Sequence, residues 1–83
     1  MDRETYFVAL PFSAGPDGEL LAGEPREERS PSAAIFRARQ LASVHGGAIA
    51  FSRAGDRSLG DYEAAVVIGR FGETPNDLAS YVG

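Results

Sequence analysis

Two segments of this chain, Tyr6–Phe12 (YFVALPF) and Ala64–Ile68 (AAVVI), have no polar face. Alternation along the first puts Tyr6, Val8, Leu10 and Phe12 on one side and Phe7, Ala9 and Pro11 on the other. Strands of this kind need cover on both faces. The chain offers only one long segment with a helical period to supply it, Ser30–Gly46 (SPSAAIFRARQLASVHG), so the second face must be closed by something else.

The helix has clear ends. Ser30 is placed to cap the first turn, with Ser32 as the alternative cap, and Pro31 falls where a missing N–H costs nothing. Gly46 suits the left-handed residue that stops a helix. A step of about 100° per residue gathers Ala34, Ile35, Ala38, Leu41, Ala42 and His45 on one face. Three alanines make that face shallow, so the helix can approach a sheet closely. Phe36 projects off it, either covering the rim of the core or meeting another chain.

Around the helix the spacing predicts strands. Gly15-Pro16-Asp17-Gly18 is a turn, with Gly18 in the left-handed position, and Glu19–Gly23 returns as a shorter strand. Pro11 must turn its missing donor away from any partner. The charged stretch Glu24–Ser30 (EPREERS) reads as a solvated connection. Gly47–Arg53 is a third strand with Ile49 and Phe51 on one side and Ala48, Ala50 and Ser52 on the other. Ala54–Asp61 is a polar hairpin loop, and Tyr62–Phe71 is a fourth strand in which Gly69 marks a bulge or close backbone approach. Thr74-Pro75 opens a short C-terminal helix over Asn76–Val82, with Leu78, Tyr81 and Val82 as its apolar contacts.

The order is ββαββ within one domain, residues 1–83. The expected fold class is α+β: a mainly antiparallel four-stranded sheet with one main helix on one face and a short C-terminal helix. A seven-residue helix can close only part of the second face, so a homodimer is expected to close the rest, with Phe7, Phe36, Val67 and Tyr81 as contact residues.

Composition removes several functions. The 83 residues include no cysteine and one histidine, which rules out thiol chemistry and a His/Cys metal site. Net charge is −4, against broad phosphate-backbone binding. All eight cationic residues are arginine. No apolar run is long enough for a signal peptide or a membrane span, so the expected compartment is the cytoplasm. Asp56, Asp61 and Glu63 lack calcium-loop spacing, and no glycine-rich phosphate cradle or serine elbow is present. No catalytic residue, metal or cofactor is implied.

What remains is a domain that binds or regulates another protein as a homodimer. The alternative is a small-ligand or enzyme-like module in which an edge of Arg53, Arg57 and Arg70, with His45, holds an anion. Arginines interleaved with Tyr62 and Phe71 would also suit single-stranded RNA, a reading that the acidic balance disfavours. The segments FVALPF, LLAGEP, GAIAFSRAGD and GDYEAAVVIGRFGETP together resemble a group of small uncharacterised bacterial proteins. That resemblance carries no established activity and implies no site residues.

Overall fold

The computed structural model describes residues 3–82. Strand β1 (Glu4–Ala14) turns through Gly15–Gly18 into β2 (Leu20–Ala22) and β3 (Arg26–Glu28). Helix α1 (Pro31–His45) follows, then β4 (Gly47–Asp56), β5 (Asp61–Tyr62), β6 (Val66–Gly72) and α2 (Ala79–Val82). All strand pairings are antiparallel. β1 and β4 are paired from Glu4↔Gly55 to Phe12↔Gly47 and form the centre. β2 and β3 both lie along the outer side of β1, and β5 and β6 both lie along the outer side of β4. The expected four strands are therefore present, but each outer one is broken in two.

The breaks have local causes. Pro11 stands opposite Ala48 in β4, yet its carbonyl accepts the Gly23 N–H at 2.8 Å on the other side. A strand residue sends its N and O the same way, so the missing Pro11 donor faces the gap between β2 and β3. A Cβ on Gly23 would sit 3.0 Å from the Pro11 ring, which keeps that crossing small. β3 falls in the stretch read as a solvated connection. Its charges do not prevent pairing, because an edge strand bonds through its backbone while its side chains reach water. On the other side, the register shifts between Ala50 and Phe51, which makes Ile68 the extra residue of a bulge. Gly69 leaves room there, since a Cβ would meet Phe71 at 3.2 Å and Ile35 at 3.6 Å.

Helix α1 starts and stops as its sequence indicates. The Ser30 hydroxyl accepts the Ala33 N–H, and Gly46 takes φ 109° while donating to the Ala42 carbonyl. α1 packs on the face formed by Ala9, Ala48 and Ala50, meeting it with Ala34 and Ala38; all five are completely buried. Ile35, Leu41, Ala42, Phe7, Ile68 and Phe71 surround this alanine layer. His45 is exposed, a correction to its expected place on the packing face. The packed residues of α1 end at Ala42, and Ser43, Val44 and His45 are all exposed.

The opposite face carries the large side chains. Leu10, Phe12, Ile49 and Phe51 are buried there, each with 4% exposure or less. Their cover comes from the chain itself. After Gly72 the backbone doubles back as a strap, residues 73–82, whose Leu78 is 6% exposed and whose Val82 packs on the same cluster. The strap is helical only over Ala79–Val82, shorter than expected, because Thr74 and Pro75 are engaged by Arg70 instead of opening a helix.

Candidate functional site

Side chains of mixed charge gather where the free ends of β4 and β5 meet the start of β1. Register puts Arg53 opposite Tyr6 and Gly55 opposite Tyr62. The Arg57 guanidinium lies 4.1 Å from the Tyr6 ring centre and that of Arg53 lies 5.2 Å from the Tyr62 ring centre. The two tyrosines meet edge to face at 6.3 Å. Cation–π stacking of this kind orients a guanidinium plane and shields part of it from water. Acids answer the arginines: Arg57 pairs with Glu27, and Arg3 pairs with Glu63 at 2.9 Å and Asp61 at 3.5 Å. Burial, with the Glu4 charge adding to it, pushes the Tyr6 hydroxyl above its ordinary pKa, and Arg57 opposes this. The hydrogen bond to Glu27 pushes Arg57 further up, so it stays cationic.

Asp56 is buried at the base of the adjoining turn. Its carboxylate accepts the Ser58 hydroxyl at 2.6 Å and the Ser58 N–H at 2.9 Å. The Ser58 hydroxyl bond, more than burial, sets its pKa, which lies below the ordinary carboxylate value. These bonds build the turn that Gly60 closes at φ 66°. Among the described residues no group of three or more His, Asp or Glu side chains is placed to hold a metal ion.

The three arginines expected to form one edge do not come together. Arg70 stands opposite Ile49, four residues along β4 from Arg53, or about 13 Å at the rise of a strand. Arg53 and Arg70 share a different job. Arg53 Nη1 donates to the Val82 carbonyl at 2.7 Å, and its Nε donates to the Glu63 carbonyl at 2.9 Å. Arg70 Nη1 donates to the Pro75 carbonyl at 2.7 Å. The two guanidiniums therefore hold the strap near its two ends. Residues 49, 51 and 53 share one face by strand alternation, so the sequence already placed Arg53 beside Ile49 and Phe51.

Of the expected contact residues, Phe7 and Val67 are half-buried in the two cores. Phe36 is 60% exposed on the outer side of α1, so it does not cover the rim of the core. Tyr81 meets Phe12 edge-on at 5.1 Å and donates its hydroxyl to the Leu20 carbonyl at 3.0 Å, latching the strap to β2. The neighbour of Val67, Val66, is 59% exposed at the start of β6. Its single-residue offset was not visible in an all-apolar run.

A cavity of about 120 Å³ lies between the strap and the link from β5 to β6. It is lined by Ala64, Ala65, Leu78, Ala79 and Val82, with Arg53 at its wall. Nothing in the sequence signalled it, since alanines at these positions carry no pattern. Among the described residues no helix is long and apolar enough to cross a membrane. The α+β architecture and these two surfaces define the molecule on their own terms, since no family model, curated protein or solved structure matches the chain.

Proposed function

We propose that this chain is a protein-interaction domain that acts as a homodimer, joined through the β6 edge. The observation that supports this is a contrast between the two sheet edges. The β2/β3 edge is broken opposite Pro11 and carries Arg26, Glu27 and Glu28. Such breaks and charges discourage pairing with another chain. The β6 edge, VVIGRFG, is seven residues long and has one charged side chain. Among the described residues no strand lies on its outer side, and Val66 is exposed beside it. Apart from the bulge at Ile68 this edge carries little to discourage pairing; such an edge is a template for strand addition, and a two-fold axis would let β6 of each copy serve the other.

The test is sedimentation velocity at micromolar concentration, on the unmodified chain and on Val66→Lys. The dimer is expected for the first and the monomer for the second, with the same far-ultraviolet circular dichroism. An unmodified chain that remains monomeric throughout the micromolar range would refute the dimer.

A further inference from the structure

We draw no further inference here: the strongest candidate, the exposed apolar patch of Phe36 and Val44 on the outer side of α1, is a helix face for which nothing in the structure shows what covers it.

Discussion

Truncating Leu78 to alanine separates a strap that is docked from one that is part of the core. Leu78 is 6% exposed and is the strap residue buried deepest against Leu10, Phe12, Ile49 and Phe51. Losing most of a buried leucine side chain costs about 1.5–3 kcal/mol in transfer, and core Leu→Ala changes span about 2–5 kcal/mol once the void is included. The lower half of that range applies, because Leu78 already borders the cavity and its neighbours are not tightly packed on that side. The expected loss is about 2–3 kcal/mol. For a domain of this size that lowers Tm by roughly 10–20 °C. The loss also has a ceiling: once the strap releases, weakening it further cannot destabilise the remaining sheet and α1. Urea denaturation should therefore show a smaller m-value, since a native state with an open strap exposes more surface before unfolding. Amide hydrogen exchange should accelerate over residues 74–82 and little elsewhere. An unchanged m-value with exchange accelerated evenly across β1 and β4 would refute the reasoning and make the strap an integral layer of the core.

Two further perturbations test the frame. Ser30→Ala removes the cap that accepts the Ala33 N–H, and is expected to cost about 1 kcal/mol in urea denaturation without altering the strap's exchange rates. Asp56 has a folded pKa below its unfolded one, so it contributes stability that is fully present above about pH 4 and is lost as pH falls through the folded value. Asp56→Asn, which keeps an acceptor for Ser58 but cannot titrate, should flatten that part of the acid limb in a series of melts between neutral pH and pH 2.

The parts of the fold that depend on neighbouring residues were legible in the sequence. Ser30-Pro31 and Gly46 bound α1 as their chemistry requires, Gly18 takes φ 84° in the first turn, and Pro11 turns its missing donor to a gap. What the sequence hid depends on pairing across the sheet. β3 forms from Arg26, Glu27 and Glu28 because Phe7–Ala9 offers backbone partners, which no side-chain pattern announces. The bulge at Ile68 turns both Ile68 and Phe71 toward α1, and within an all-apolar run such an offset has no polar residue to reveal it. The expected edge of three arginines shows the larger difference in placement. Arg53, Arg57 and Arg70 were grouped by type, whereas strand alternation places Arg53 and Arg70 on the strap side and register sets them apart. Arg57 stacks on Tyr6 and pairs with Glu27 beside Arg53 on Tyr62, while Arg70 lies apart from both.

The alanine layer between α1 and the sheet has a mechanical consequence. Ala9, Ala34, Ala38, Ala48 and Ala50 have no χ rotations, so no rotamer at this contact can yield to absorb a displacement. A force applied to the outer side of α1, where Phe36 stands clear, is passed to β1 and β4 as the movement of a rigid plate. On the reverse face, leucine, isoleucine and phenylalanine side chains lie against a short strap bordered by an open cleft, and can relax by repacking. The sheet is thus stiff on one side and compliant on the other, and deformation of this protein is expected to be taken up almost entirely on the strap side.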